Sequence, residues 1–318
     1  MRLSMFSSSA LNDVLLSFLS ILLEGAPYIL LGTVISGFID AYLPKNAIDK
    51  LLPRNPVVAV FASGLLGAVF PVCECAIVPV IRRLVQKGLP VSCAITYMLS
   101  APIINPITVM STYSAFKGDL TMTSSRLFMA YMITVFIGLL VLRVSPRKIL
   151  TDAIASTLPD ADSASRGSEG HEHGHEPEKP ASGSRLVQAM RTAQGDFLET
   201  GMYFVIGVII AATFNTSPAL QEVVRGFAGN DIVAVPGMMI FAFILSLCST
   251  TDAFIVAPDA SLSMVSKLAF LVFGPMMDVK LLFMYSSVFR KRFVLFLAVG
   301  LFVLIGLLCI PWSMVFEY

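Results

Sequence analysis

The sequence predicts an all-α integral membrane protein of about eight transmembrane segments, arranged as two homologous halves with broken helices. Three observations predict it: an apolar composition, eight separate apolar stretches, and the return of the same polar and kinking residues in the second half. The 318-residue chain is 56% hydrophobic and 14% charged, with a mean hydropathy of +0.81. A soluble chain is about 45–50% apolar and about 25% charged, so this chain lacks the polar side chains to cover a water-facing surface. Its net charge of +1 provides no basic field, so no nucleic-acid partner is expected. Five cysteines, an odd number, without a secretory cleavage pattern argue against a disulfide scaffold.

A spanning helix needs about 20 apolar residues, and the stretches can be taken in order. Residues 11–39 form the first, with Asn12 and Asp13 near its start as caps. It is too long for a signal peptide and contains Glu24. Residues 57–84 form the second, interrupted at Phe70-Pro71-Val72-Cys73-Glu74-Cys75. Residues 91–113 form the third, interrupted by Pro102 and Pro106, and residues 127–144 the fourth. From 145 to 190 Ser, Ala, Asp, Glu, Pro and Gly dominate. Such a composition does not offset the entropy of ordering it, which predicts a disordered linker. The second half then offers 197–214, 232–248 with a polar continuation over 249–260, 264–289 interrupted at Gly274-Pro275, and 293–316. The expected units are therefore a first membrane repeat over 1–144, a linker over 145–190 and a second membrane repeat over 191–318.

A shift of 175 residues places Glu24 on Glu199, Tyr28 on Tyr203, Gly32 on Gly207 and Cys73 on Cys248. A shift of 173 places Pro102 on Pro275 and Asn105 on Asp278. Transporters are often built from such repeats, with the substrate site at corresponding broken helices. The strongest candidate is Cys73-Glu74-Cys75, bracketed by Pro71 and Pro79. Unwound backbone is tolerated at membrane depth only inside protein or along a wet cavity. A carboxylate there is costly and marks function, and thiolates suit soft metals and metalloids. Two cysteines packed at a kink are the structural alternative. Asn105, between Pro102 and Pro106, offers either a substrate carbonyl or a capped kink. Cys248 with Asp252, and Asp278 after Pro275, complete the candidate polar lining. Cys93 and Cys309 stand alone and read as packing residues. Glu24 and Glu199 are proton-coupling candidates or static hydrogen-bonded acids. His171, His173 and His175 in the linker are either a weak accessory metal tract or a solvated polar run.

Pro71-Val72-Cys73-Glu74-Cys75-Ala76-Ile77-Val78-Pro79, then Arg82-Arg83, Lys87-Gly88 and Ala101-Pro102-Ile103-Ile104-Asn105-Pro106, resembles the predicted permeases related to the ArsP organoarsenical exporters. The resemblance extends to Glu24, Pro27, Gly32, Pro275 and Asp278 and covers the chain apart from the linker. It implies an eight-helix permease of the bacterial plasma (inner) membrane and, for the ArsP branch, export of trivalent organoarsenicals with cysteines in recognition. In that branch the residue between the cysteines is usually small. The Glu74 form looks more like the permease subunit of a two-component bacterial system with a separate partner membrane subunit. A carboxylate next to two thiols is a more natural set for a divalent ion such as zinc than for a neutral arsenical.

The expected function is thus a permease, not an enzyme, that moves a soft metal or metalloid through a Cys-x-Cys site. Two alternatives are a membrane thiol redox protein and a non-transporting metal sensor or scaffold. No nucleotide-binding pattern occurs and no histidine lies in an apolar stretch, so no cofactor is expected. The positive-inside rule puts Arg82, Arg83, Lys87, Arg143, Arg147 and Lys148 in the cytoplasm. Eight full spans would then leave Arg290, Lys291 and Arg292 outside. If one broken segment of each half turns back instead, the halves are inverted and both clusters share a side.

Overall fold

The computed structural model describes residues 8–44, 52–156, 182–215, 231–260 and 262–316. Among these the regular secondary structure is helical, apart from one isolated bridge between Leu150 and Phe289. The first half contains α1 (Ser8–Tyr42), α2 (Pro56–Val69), α3 (Glu74–Gln86), α4 (Val91–Ser100), α5 (Pro106–Ala115), α6 (Leu120–Val141) and the short α7 (Pro146–Ile149) and α8 (Asp152–Ala155). The second contains α9 (Ser182–Asn215), α10 (Asp231–Leu245), α11 (Asp252–Val256), α12 (Met264–Met276), α13 (Val279–Tyr285) and α14 (Lys291–Phe316). Five helical stretches are long and apolar enough to cross a bilayer: 11–42, 120–141, 185–214, 264–285 and 291–312. The chain is an all-α, multi-pass membrane protein.

The breaks follow from local chemistry. Asn55 and Asn105 each accept a bond from the amide two residues on, at 3.0 and 2.9 Å, and each precedes a proline at the first helical position. Proline lacks an amide that a helix start leaves unbonded anyway. Asp119 caps α6 by accepting from the Thr121 amide, and Asp278 caps α13 by accepting from the Leu281 amide three residues on. The break after α2 falls at 70–73, and Pro79 lies inside α3. The interruption expected at Gly274-Pro275 lies two residues later: Pro275 is still in α12, and Met277 is the extended residue. A proline's ring disturbs the turn before it, so α12 can accommodate Pro275 close to its end.

Contacts fix the direction of each helix. On α1 and α9, Gly25 lies against Phe204, Ser36 bonds Asp196 at 2.6 Å, and Asp40 meets Thr192 at 3.2 Å. Numbers that rise on one helix fall on the other, so the two are antiparallel. α3 runs back to the end it came from, because Arg83 bonds Asp196 and Lys87 bonds the Asp40 carbonyl. α2 and α3 therefore form a turned-back pair. Likewise α10 and α12 enter side by side, Phe241 on Phe270 and Phe243 on Phe273, which requires α11 to turn back between them. The pairs α4–α5 and α12–α13 run on through their breaks. Of the eight apolar regions, six traverse the bundle and two turn back, so eight full spans is not the path taken.

That path puts Arg290 beside Ile149 and Asp152, at the same end as Arg82, Arg83 and Lys87. The stretch read as a 145–190 linker is ordered at both edges. Ile149, Leu150 and Ile154 are buried against the 288–290 turn, and α9 already begins at Ser182. Three large apolar side chains within six residues gave this edge something to bury. His171, His173 and His175 lie outside the described residues.

Candidate substrate site

The turned-back pair α2–α3 delivers Cys73 as the cap residue of α3, with Glu74 and Cys75 as its first helical residues. The second turned-back pair delivers Cys248 and Ser249 from the break between α10 and α11, where Ser246 adopts a left-handed φ of 51°. The two breaks meet. Cys73, Glu74, Cys75 and Cys248 line one narrow cleft of about 10 Å³, room for about one water, with Glu24 and Tyr28 of α1, Phe204 of α9 and Lys280 of α13. Close backbone contact makes this convergence possible. Gly32 of α1 sits directly on the Ala76 backbone and Gly207 of α9 on Lys280, where an added Cβ would lie 2.4 and 2.6 Å from backbone atoms.

Lys280 anchors the cleft, and the sequence reading missed it. Its Nζ lies 3.5 Å from Glu74, 3.4 Å from Asp278 and 2.8 Å from the Ser246 carbonyl. All three charged groups are 4% exposed or less. Isolated charges at such depth would cost several kcal/mol each, so two carboxylates around one ammonium are a mutually dependent set. Ser249 Oγ donates to Glu74 at 3.3 Å, and Asp278 accepts from the Leu281 amide at 2.7 Å. Both carboxylates are therefore within reach of Lys280, although Asp278 Oδ2 has no hydrogen-bond partner, while Cys73, Cys75 and Cys248 form no disulfide. Among the described residues, no three His, Cys, Asp or Glu side chains are grouped closely enough to hold a metal ion.

The remaining candidates separate from this cleft. Asp252 pairs with Arg126 at 2.6 Å, and Arg126 also reaches Thr112 Oγ1 and the Ser249 carbonyl. Asn105 caps α5, and Gly67 of α2 packs against the neighbouring Ala101 and Ile104 backbone. Glu199 pairs with Arg82 near the end of the bundle that holds Asp40, whereas Glu24 lines the cleft. Their equal position in sequence therefore does not give them equal surroundings, because antiparallel α1 and α9 face different neighbours there. Cys93 and Cys309 are buried away from the cleft. Lys280 was discoverable by the rule that singled out Glu74, as a charge within the 264–289 stretch, whereas Arg126 falls just before the 127–144 stretch and reads there as a flanking charge. Beside the cleft, an apolar groove lined by Leu22, Ala26, Ile29, Phe197 and Met202 runs between α1 and α9, and Phe204 borders both.

A bundle of apolar helices with broken segments meeting around buried charge is the architecture of a membrane permease. The family model described as "Predicted permease" matches residues 10–318. The chain belongs to this predicted permease family. It is 33% identical over 288 residues, 90% of each chain, to a protein of Streptococcus mutans named as a subunit of a two-component membrane permease complex. It is 36% identical over 291 residues, 91% of this chain and 92% of the relative, to the UPF0718 protein YcgR of Bacillus subtilis. No solved structure matches. These similarities point to a transporter rather than an enzyme.

Proposed function

We propose that this permease moves a trivalent organoarsenical or chemically similar soft species, held by two at a time of the thiols Cys73, Cys75 and Cys248. The observation that carries the reading is that three unmodified thiols share one cleft whose carboxylates are already occupied by Lys280. Lys280 fills the place a divalent cation would take, so zinc is the weaker fit and the thiol-binding metalloid the stronger. Each As–S bond that forms replaces an As–OH bond and releases one water, with the thiol supplying the proton; the two hydroxyls of methylarsonous acid allow two such bonds, and its As–C bond stays intact. Arsenic stays trivalent, so no oxidant is needed. The adjoining apolar groove suits an organic substituent on the arsenic.

The antiparallel α1 and α9, and the turned-back pairs entering from opposite ends, support two inverted repeats related by the 175-residue shift. Placing the end with Arg82, Arg83, Lys87, Arg147, Arg290 and Arg292 in the cytoplasm satisfies the positive-inside rule throughout. The named relative supports a partner membrane subunit for this chain as well. Uptake of methylarsonous acid and of zinc into everted vesicles tests the reading. Arsenical flux lost in Cys73→Ser is the expected result. Zinc flux without arsenical flux overturns it.

A further inference from the structure

We propose that the Arg126–Asp252 pair is the site at which the driving ion, a proton, loads, and that Ser249 passes its state to the thiol cleft. This rests on the permease reading above. Both side chains are 2% exposed, and they come from opposite halves of the chain, Arg126 from α6 and Asp252 from the start of α11. The pair is incomplete. Asp252 Oδ2 meets Arg126 Nη2 at 2.6 Å, while Asp252 Oδ1 and Arg126 Nε have no hydrogen-bond partner. A buried carboxylate oxygen left open is costly, and it is the atom on which a proton can sit.

Threonine hydroxyls lie between the pair and the cap of α6. Arg126 lies six residues inside α6 from Leu120, about 9 Å along a helix. Beside it Thr108, Thr112 and Thr123 line a crevice too tight to hold a water in this state. Thr123 Oγ1 donates to the Asp119 carbonyl at the α6 cap. This end of the bundle is opposite the one carrying Arg83, Lys87 and Arg290. Other charged groups near Asp252 are few. Glu74 stands behind Ser249, and Lys267 of α12 bonds the Ala257 carbonyl past the end of α11. From α5, which packs on α11, the one titratable side chain is Tyr113, which lies against Gly118.

Loading converts the Asp252 carboxylate and one proton into a neutral carboxyl, with no electron moved. Arg126 then loses its counter-charge while keeping its bond to the Ser249 carbonyl at 3.2 Å. Ser249 in turn donates to Glu74 in the thiol cleft at 3.3 Å. One residue of the second break thus touches both ionic centres, and a shift at Asp252 changes the field and geometry at Glu74. A ligand or proton moves such an equilibrium only through its different affinity for the two states, and Asp252 provides that difference.

The test uses the full-length chain in proteoliposomes with methylarsonous acid as probe. Exchange at equal pH reports the thiol site, and accumulation under a pH gradient reports coupling. One pH unit sustains up to about a tenfold concentration ratio per coupled proton. Wild type is expected to do both. Asp252→Asn, and the neutral pair Arg126→Gln with Asp252→Asn, are expected to keep exchange but lose gradient-driven accumulation. The double variant covers misfolding caused by an unpaired Arg126. Accumulation persisting in both variants overturns the coupling assignment and leaves the thiol site standing. Loss of exchange in both variants overturns it also, since the pair then serves the structure or the binding itself. Absence of exchange in wild type overturns the thiol-site reading and the coupling site with it.

Discussion

The two breaks that turn back, 70–73 and 246–251, make an instructive pair. Each is followed by a buried carboxylate, Glu74 or Asp252, and each carboxylate is met by a cation from the other half, Lys280 or Arg126. Around the first lies a cleft with three thiols. The second has no thiol of its own at the ion pair, because Cys248 is directed to the first. The same backbone device therefore supports two chemistries, and the side chains near the break decide which. Both depend on charge compensation between halves, so neither half completes its own ionic centre.

The largest effect expected on breaking this arrangement is at Lys280. Lys280→Met removes the counter-charge of Glu74 and Asp278, and stripping one partner from a buried pair typically costs about 3–5 kcal/mol. Thermal melting in detergent should show severe destabilisation or failure to accumulate. Glu74→Gln combined with Lys280→Met should recover part of the loss, and no recovery would show that Glu74 is not the partner that matters. Next come the thiols. Cys73→Ser, Cys75→Ser and Cys248→Ser should each abolish arsenical flux with the protein still in the membrane, because a hydroxyl is a far poorer soft ligand. Cys93→Ser and Cys309→Ser should transport nearly as wild type.

Smaller effects sharpen the comparison between the halves. Gly32→Ala and Gly207→Ala each force a methyl group onto a neighbouring backbone, an overpacking cost of about 1–3 kcal/mol. Gly195 and Gly201 of α9 have open space around them, so alanine there should be neutral or raise stability by up to about 1 kcal/mol. Melting temperatures of the four single variants check both statements. The smallest effect belongs to residues 171–176. Their deletion should leave flux at saturating methylarsonous acid unchanged, since imidazole and carboxylate offer a neutral arsenical no preferred ligand.

Much of the fold was legible in the sequence because hydropathy and proline placement are local. The starts of α2 and α5 at Asn-Pro and the break at Phe70–Cys73 follow from caps and missing amides. The turning back of two segments was not legible as a certainty. An apolar stretch long enough to cross reads the same whether the chain continues or reverses at its break. Only the clash of Arg290–Arg292 with the positive-inside rule signalled it. Cys73, Glu74, Cys75 and Cys248 were legible as a site because polar residues at breaks stand out. Lys280 and Arg126 were overlooked, since attention to thiols and acids passed over the cations that neutralise them. The separation of Asp252 from the cleft depends on tertiary packing that no spacing encodes.

Thiols from both halves are expected to bind one soft atom. Arsenic X-ray absorption on the full-length protein loaded with methylarsonous acid tests it most directly, by reading the atoms bonded to arsenic. Sulfur in the coordination shell of wild type and of the Cys93→Ser, Cys309→Ser double variant, reduced in Cys248→Ser and in Cys73→Ser with Cys75→Ser, and replaced by oxygen when Cys73, Cys75 and Cys248 are all Ser, is the predicted result. A sulfur shell unchanged by removing Cys73, Cys75 and Cys248 would contradict it.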